Sequence, residues 1–192
     1  MKSVEQPITS SLYDANGRRK YLTGGEWARF LGAAAQYEPH TRALCRVLAY
    51  TGCRISEALA LTRTRLDTET GRIVLRTLKR RKLVFRAVPV PASLIAELIA
   101  LPKIADQPER IWRWCRQTGW RRVKAVMDQA RVIGPQACPK GLRHGFGIAA
   151  AKENIPPGLT QRWMGHARLE TTVLYQDAVG PEERAFAERL WR

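Results

Sequence analysis

Three clusters along the chain hold the residue types that could do chemistry. The first is Thr51-Gly-Cys-Arg54-Ile-Ser-Glu57, in which Arg54 follows a glycine turn and opens a short predicted helix. Backbone N–H groups at a helix start favour an anion, and a guanidinium there can bind a phosphate through two parallel hydrogen bonds. Glu57 lies three residues later over the same helical face, where it could hold a basic side chain in place. An ordinary surface Arg–Glu pair has the same spacing, so this cluster alone is weak evidence.

The second and third clusters add cations, a histidine and a nucleophile. Lys140 and Arg143 share a predicted helical face, so Arg143 could make a second phosphate contact. His166 follows a glycine, and Tyr175 lies nine residues later on a separate predicted helix. A phenol has a pKa of about 10, so as a nucleophile Tyr175 would need cationic neighbours. Taken singly, a basic helix start, a structural histidine and a core tyrosine explain these residues as well.

A phosphodiester is the substrate that the combined set would serve. Its transition state gains negative charge that fixed cations stabilise, and cleavage needs a nucleophile and an acid for the leaving oxygen. Lys79 lies in a basic turn between two predicted strands, where its ammonium group could protonate that oxygen. Lys82 flanks the same turn, so the assignment of the acid to Lys79 rather than Lys82 stays open.

The charge of the chain indicates a polyanionic partner. A formal net charge of +16 on 192 residues points to nucleic acid, although a solubilising surface is the alternative. Residues 72–86 hold seven Lys/Arg and no acid, and residues 110–131 hold seven against one Asp, with three tryptophans interleaved. The tryptophans fit a DNA surface or the core equally well. These stretches predict contacts with DNA from Arg80, Arg81, Lys82, Arg121, Arg122 and Lys124.

The cysteine pattern and the hydropathy of the chain narrow its location. No two of the four cysteines form a C-x-x-C pair, so we expect buried free thiols in a reducing compartment; they are Cys45, Cys53, Cys115 and Cys138. No apolar run reaches the roughly 18 residues of a membrane span. Residues 1–11 lack the apolar core of a secretion signal. A soluble, cytoplasmic protein is therefore expected.

Hydrophobic periodicity predicts an α+β fold that is mainly α-helical, with a small antiparallel β-sheet. Residues 1–20 are polar and are interpreted as a flexible N-terminal arm or linker, and residues 21–192 as one catalytic domain. Strands are predicted at 72–76 and 83–88, and Pro89 ends the second. Helices are predicted at about 24–36, 40–50, from 55, and at 92–100, 118–131, 141–152, 158–164, 169–177 and 182–191.

Together and in this order, the motifs resemble the tyrosine recombinase family of phage integrases and Xer-type recombinases. The match runs through Thr51–Glu57, the basic hairpin, Lys140-x-x-Arg143-His144, Met164-Gly-His166 and Thr171-Thr172-x-x-Tyr175. Each motif is weak alone, but five in order with family-like spacing are specific, and they cover roughly residues 20–192. The resemblance implies a tyrosine recombinase-like catalytic domain.

The resemblance also implies a role for each residue. Arg54 and Arg143 would bind the scissile phosphate, and His166 would hydrogen-bond it. Lys79 would be the general acid, and Tyr175 would attack to form a 3′-phosphotyrosine. Glu57 would help to hold these catalytic residues in position. The ester retains the bond energy, so neither ATP nor a metal is implied.

Two departures from the family pattern bear on activity and partners. The family usually has His where this chain has Lys140, which keeps a donor and a charge but cannot act as a base near neutral pH unless its pKa is depressed. The family tolerates variation at this position, so activity is still expected. An N-terminal helical domain usually closes around the DNA, so this chain is expected to be a fragment or a short form that needs a partner. The final helix, 182–191, resembles the segment that packs on a neighbouring protomer, implying a homo-oligomer on double-stranded DNA.

Two other classes remain as alternatives. A type IB topoisomerase uses the same chemistry, and a DNA-binding module could have lost catalysis, since residues 154–165 have helix–turn–helix character. The presence of Arg54, Arg143 and Tyr175 together favours an enzyme over a binder. The DNA site, the direction of recombination and the mobile element are not identified by the sequence.

Overall fold

The computed structural model describes residues 12–77, 83–107, 109–176, 188 and 190–191. These residues form helices and a small sheet, which confirms the predicted α+β class. The helices are α1 (Gly24–Ala34), α2 (Pro39–Thr51), α3 (Ile55–Leu59), α4 (Ala92–Ala100), α5 (Arg116–Gln129), α6 (Pro139–Lys152), α7 (Pro157–Met164) and α8 (Glu170–Val173). The strands are β1 (Leu66–Asp67), β2 (Arg72–Arg76) and β3 (Phe85–Pro89).

Local sequence rules explain where several helices begin and end. Thr23 caps α1 through a reciprocal pair of bonds: its hydroxyl accepts from the Glu26 N–H, and the Glu26 carboxylate accepts from the Thr23 N–H. Helix α2 ends at Gly52, which has a φ of 58°. A Cβ at Gly52 would lie 2.5 Å from the Phe146 ring, so both the backbone and the packing require glycine there. This turn delivers Arg54 to the start of α3.

The sheet is antiparallel in the order β1-β2-β3. The sequence predicted β2 and β3, with the second strand shifted by one to two residues, and did not predict β1. Only Leu66 and Asp67 pair in β1, too short a run to give a periodic signal. The predicted basic turn, with Lys79, Arg80, Arg81 and Lys82, lies outside the described residues.

Helix α2 lies at the centre of the main core. It contacts α1, α3, α4, α5 and α6, and it buries Ala43, Leu44, Val47 and Leu48 completely or nearly so. A second, smaller cluster consists of Leu12, Ile148, Met164 and Tyr175. The predicted tyrosine nucleophile therefore packs in a satellite of the core rather than in the core itself.

Residues 12–20, assigned from sequence to an arm, form a turn packed against the domain. Tyr13 pairs with Arg19 in an antiparallel bridge, and Leu12 is buried beside α6. Residues 1–11 lie outside the described part. None of the helices in the described ranges is long and apolar enough to cross a membrane.

Two other expectations change near the C-terminus and at one cysteine. Helix α8 spans only Glu170–Val173, shorter than the predicted 169–177, with turns following through Gln176. Most of the predicted 182–191 helix lies outside the described residues. The four cysteines are free, as expected, but only Cys45 and Cys53 are buried. Cys138 is half-buried, and Cys115 is exposed because it is the N-cap residue of α5 at the surface.

Candidate active site

A cavity of about 510 Å³ brings the three sequence clusters together. It opens between α3, α5 and α6 and the segment that follows α7. Its walls include Arg54 from the first cluster, Lys140, Arg143 and His144 from the second, and His166, Thr171 and Tyr175 from the third. Residues that are far apart in sequence therefore share one site, as the phosphodiester interpretation requires.

Arg143 is a buried cation at the floor of this cavity. Its Nη1 donates to the carbonyl oxygens of Gly52, at 2.7 Å, and of Met164, at 2.8 Å. Its Nη2 has no hydrogen-bond partner within the described ranges. Burial, and then the charge of Arg54, lowers the pKa of Arg143 to about 10, so it stays protonated at neutral pH. The guanidinium is thus fixed by neutral carbonyls and keeps its charge for an anion.

Arg54 and Glu57 form the contact that their spacing predicts. Arg54 Nη1 lies 3.0 Å from Glu57 Oε1, and the Arg54 N–H donates to Oε2 at 3.0 Å. Burial alone would raise the pKa of Glu57, but the charge and hydrogen bond of Arg86 hold it below its usual value. The ionised carboxylate therefore fixes the position of Arg54 on the cavity wall.

Arg86 holds Glu57 from the other side, and the sequence reasoning did not find it. Its Nη2 donates to Glu57 at 2.6 Å, its Nε to the Trp163 carbonyl at 2.7 Å and its Nη1 to the Thr77 hydroxyl at 2.9 Å. One side chain thereby links β3, α3 and the end of α7. The alternation of side chains along β3 could have indicated that Arg86 is buried, because Arg86 shares the inward face of the strand with Val88.

Tyr175 lies within the cavity wall with only 4% of its surface exposed. Its Oη is 3.1 Å from His144 Nδ1. Gly147 makes room for the ring, because a Cβ there would lie 2.5 Å from it. Burial raises the pKa of Tyr175, and the charges of Arg143 and Arg54 oppose that rise. The phenol is therefore protonated at neutral pH, next to cations that would stabilise its ionised form.

Two histidines flank the tyrosine ring. The His166 ring stacks at 6.1 Å from the Tyr175 ring, and its Nδ1 lies 2.8 Å from Thr172 Oγ1. Burial, and then the charge of Arg143, lowers the pKa of His166 to about 3. Burial, and then the charges of Lys140 and Arg143, lowers the pKa of His144 to about 4. Both imidazoles are neutral at pH 7.

The other predicted residues occupy different places. Lys140 lines the cavity and is exposed. Arg121 is exposed on α5 outside the cavity lining. Arg122 lies 3.0 Å from Glu38 and packs over the Trp114 ring, and Lys124 lies 2.8 Å from Asp128. None of these α5 cations lines the cavity.

Helix α5 contributes two cavity residues for which no individual role was predicted from the sequence. Arg116 and Trp120 lie four residues apart, on one face of the helix, and both line the cavity. Trp120 is 41% exposed, whereas Trp112 is core and donates to the His40 carbonyl. Trp112 is therefore a core residue, and Trp120 is available at the cavity wall.

Residues 20–179 match the model of the phage integrase family. The match covers most of the chain, so the chain belongs to the phage integrase family. The fold, the five ordered motifs and the family match agree, and they confirm the resemblance drawn from the sequence.

Curated relatives narrow the similarity to tyrosine recombinases. The chain is 28% identical over 166 residues to the tyrosine recombinase XerA of Thermococcus onnurineus (strain NA1), covering 81% of this chain and 57% of XerA. It is 29% identical over 170 residues to the type 1 fimbriae regulatory protein FimE of Escherichia coli (strain K12), covering 82% of this chain and 85% of FimE. The chain thus spans just over half the length of the XerA relative.

Solved structures share the fold. The XerA recombinase has a TM-score of 0.70 at 22% identity, over 88% of this chain and 64% of that one. The catalytic domain of bacteriophage HP1 integrase has a TM-score of 0.66 at 21% identity, over 88% and 93%. XerH bound to a palindromic difH substrate, a post-cleavage complex, has a TM-score of 0.72 at 21% identity, over 95% and 57%.

Proposed function

We propose that residues 21–192 are the catalytic domain of a tyrosine site-specific recombinase that cleaves and rejoins double-stranded DNA. One observation carries the proposal: a single cavity holds the Tyr175 hydroxyl beside the guanidinium groups of Arg54 and Arg143. A tyrosine nucleophile and two fixed cations are what phosphodiester cleavage through a covalent intermediate needs. The similarity to XerA and to the phage integrase family supports the same activity.

In the proposed cleavage step, the phosphate lies between Arg54 and Arg143, and neutral His166 hydrogen-bonds one of its oxygens. Tyr175 Oη attacks phosphorus, the bond from phosphorus to the 5′-oxygen breaks, and a 3′-phosphotyrosine forms. Lys79, which lies outside the described residues, would give the leaving oxygen its proton. The guanidinium charges stabilise the extra negative charge of the transition state.

Rejoining reverses these events on a partner strand. A 5′-hydroxyl attacks the phosphotyrosine, and the phenol leaves and recovers its proton. Each step exchanges one phosphate ester for another, so the bond energy is conserved.

The proposed partners follow from charge and from the assembly that recombination requires. Double-stranded DNA would lie over the mouth of the cavity, contacted by the cations at 79–82 and by Arg116. Arg121, Arg122 and Lys124 remain predicted DNA contacts at its edge. A homo-oligomer formed through residues 182–191 would align two strand exchanges, and the proposed compartment is the cytoplasm.

Covalent trapping tests the function. Nicked duplexes drawn from DNA that flanks the gene are mixed with the protein and denatured in SDS, and a protein–DNA adduct is sought. Tyr175→Phe removes the nucleophile and should abolish the adduct while leaving DNA affinity nearly unchanged. Tyr50→Phe is the matched control, because Tyr50 packs beside Arg46 and does not line the cavity, and it should form the adduct normally.

A gel shift in low salt runs in parallel. DNA binding without an adduct on any duplex would overturn the enzyme in favour of a DNA-binding module. Relaxation of supercoiled plasmid by the protein alone, without strand exchange between sites, would instead indicate a topoisomerase-like activity.

A further inference from the structure

We infer that His144 is a catalytic residue, the general base that takes the proton from Tyr175 as the phenol attacks the phosphate. This inference rests on the proposed function and assigns a role to a side chain that the motif Lys140-x-x-Arg143-His144 contains but that the roles above do not use. It is carried by a contact to the reacting oxygen itself.

The geometry places one ring nitrogen of His144 against the nucleophile. His144 Nδ1 lies 3.1 Å from Tyr175 Oη, within the reach required of a general base. The two rings are 5.9 Å apart and tilted by 58°, so the contact runs from nitrogen to oxygen rather than through a stacked arrangement. Packing beside Leu12, Ile148 and Met164 fixes the Tyr175 side chain.

The protonation states fit this direction of transfer. His144 is neutral at pH 7, so one ring nitrogen has a free lone pair. Tyr175 is protonated, so its hydroxyl can donate a hydrogen bond. The ring nitrogen that contacts this hydroxyl is Nδ1 of His144. Nε2, which is buried without a partner in the described part of the chain, then carries the ring hydrogen.

Most of the charged or titratable groups around His144 are cations, so its basicity depends on the substrate. The charged or titratable groups that face it or share its cavity come from several elements; they are Lys20, Arg54, Arg116, Lys140, Arg143, His166 and Tyr175. In the free protein, burial and then the charges of Lys140 and Arg143 hold His144 neutral. A bound phosphodiester brings negative charge into the cavity and raises the proton affinity of the imidazole at the moment of attack.

Neighbouring side chains fit the role less well. Lys140 carries an ammonium group, and Arg54 and Arg143 carry guanidinium groups; both kinds of group supply hydrogen-bond donors and no acceptor. His166 uses Nδ1 toward Thr172, and its ring lies parallel to the Tyr175 ring at an angle of 23°. His144 makes the direct nitrogen-to-oxygen contact.

The proton balance of the step is complete. As the bond from Tyr175 Oη to phosphorus forms, the phenolic proton moves to His144 Nδ1, while the 5′-oxygen leaves with a proton from the general acid. When a 5′-hydroxyl later attacks the phosphotyrosine, its proton returns to the group that acted as general acid, and His144 returns its own proton to Tyr175 Oη. His144 therefore acts as the base during cleavage and as the acid during rejoining.

Nitrogen-15 NMR of histidine-labelled protein tests the tautomer without any DNA. The chain has only three histidines, so His144→Asn and Tyr175→Phe assign the signals. At pH 7, His144 should carry its proton on Nε2, and its Nδ1 signal should shift in Tyr175→Phe. A proton on Nδ1 would mean that His144 donates to the phenol oxygen, and this result would overturn the assignment of His144 as the general base.

Single-turnover cleavage rates test the role in the reaction. Asparagine places an amide atom where Nδ1 lies, so His144→Asn can keep a hydrogen bond to Tyr175 but cannot accept a proton. His144→Asn and His144→Ala should both cleave on the order of 10²–10⁴ times more slowly at pH 7. Both residual rates should rise with pH as hydroxide replaces the base. His40→Asn, away from the cavity, should cleave like the original protein.

A substrate with a modified leaving group distinguishes the role of His144 from that of the general acid. A 5′-bridging phosphorothiolate leaves without a proton, so it should restore the rate of a Lys79→Ala variant but not that of His144→Asn. Near-normal cleavage by His144→Asn would reduce His144 to a positioning residue and overturn the proposal. Failure of the unchanged protein to form any adduct would refute the proposed function instead, and the NMR tautomer would still decide whether Nδ1 can accept the proton.

Discussion

Two arginines, Arg86 and Arg143, are both buried near the site, and their partners differ completely. Arg86 is 6% exposed, and its three nitrogens bind a carboxylate, a carbonyl and a hydroxyl. Arg143 is 8% exposed, binds two carbonyls through one nitrogen and leaves Nη2 without a partner in the described residues. The first cation is neutralised within the fold, and the second is not.

This difference separates scaffold from site. Burying a cation without a counter-ion is unfavourable, and a fold tolerates it where an anion must bind. Arg86 and Glu57 satisfy each other and hold Arg54 in place, whereas Arg143 keeps its charge for an incoming phosphate. The comparison therefore predicts that Arg86 controls stability and that Arg143 controls chemistry.

Arg86→Met should give the largest effect on stability. It leaves the Glu57 carboxylate buried without its closest cation, and breaking such a pair costs on the order of 3–5 kcal/mol. Urea denaturation measures the loss. Adding Glu57→Gln should recover part of it, because the second change removes the uncompensated charge; no recovery would contradict the pairing.

Arg143→Ala should act mainly on cleavage. Losing one fixed donor at a developing charge costs on the order of 10²–10³-fold in rate. The free energy of unfolding should fall by less than in Arg86→Met, because no buried carboxylate loses its partner. Single-turnover adduct formation and urea denaturation give the two numbers, and the reverse ranking in either assay would break the comparison.

Two buried histidines should make the stability of the protein depend on pH. His144 and His166 have pKa values of about 4 and about 3 in the folded protein, against 6.5 ordinarily. The unfolded chain binds more protons below pH 6.5, so stability is full above that pH and falls as the pH drops toward 5. The slope should approach about 1.4 kcal/mol per pH unit for each histidine.

Replacing His144 by Asn should reduce that slope by about half in urea titrations between pH 6.5 and 5. Arg143→Ala should reduce it less, because it removes one of the cations that lower both pKa values. An unchanged slope in His144→Asn would show that His144 is protonated in the folded state.

The smallest effect concerns the surface of α5. Arg116 lines the cavity, whereas Arg122 is paired with Glu38 and covered by Trp114. Arg116→Ala should weaken DNA binding and lower the slope of log affinity against log salt by about one. Arg122→Ala should change the slope less, and equal slopes for both variants would show that the pairing does not matter.

The sequence was sufficient where the signal is local. Thr23 and Glu26 fix the start of α1, Gly52 fixes the end of α2, and the periodicity places most helices within two residues. The ordered motifs predicted that Arg54, Arg143, His166 and Tyr175 would share a site, and all four line the cavity.

The sequence was insufficient where a role depends on distant partners. Arg86 meets Glu57, 29 residues away, and Trp163, 77 residues away, and no local pattern encodes either contact. The turn at 12–20 looks like a polar linker because only Leu12 is buried there. The role proposed for His144 depends on its contact with the hydroxyl of Tyr175, 31 residues later in the chain.

Cleavage of a neutral substrate tests most directly whether Arg143 keeps its charge for the phosphate. A duplex with a methylphosphonate at the scissile position lacks the negative charge that the guanidinium would neutralise. The rate defect of Arg143→Ala should therefore shrink markedly on this duplex, and Tyr175→Phe should form no adduct on either substrate. An equal defect of Arg143→Ala on the charged and neutral duplexes would contradict the account.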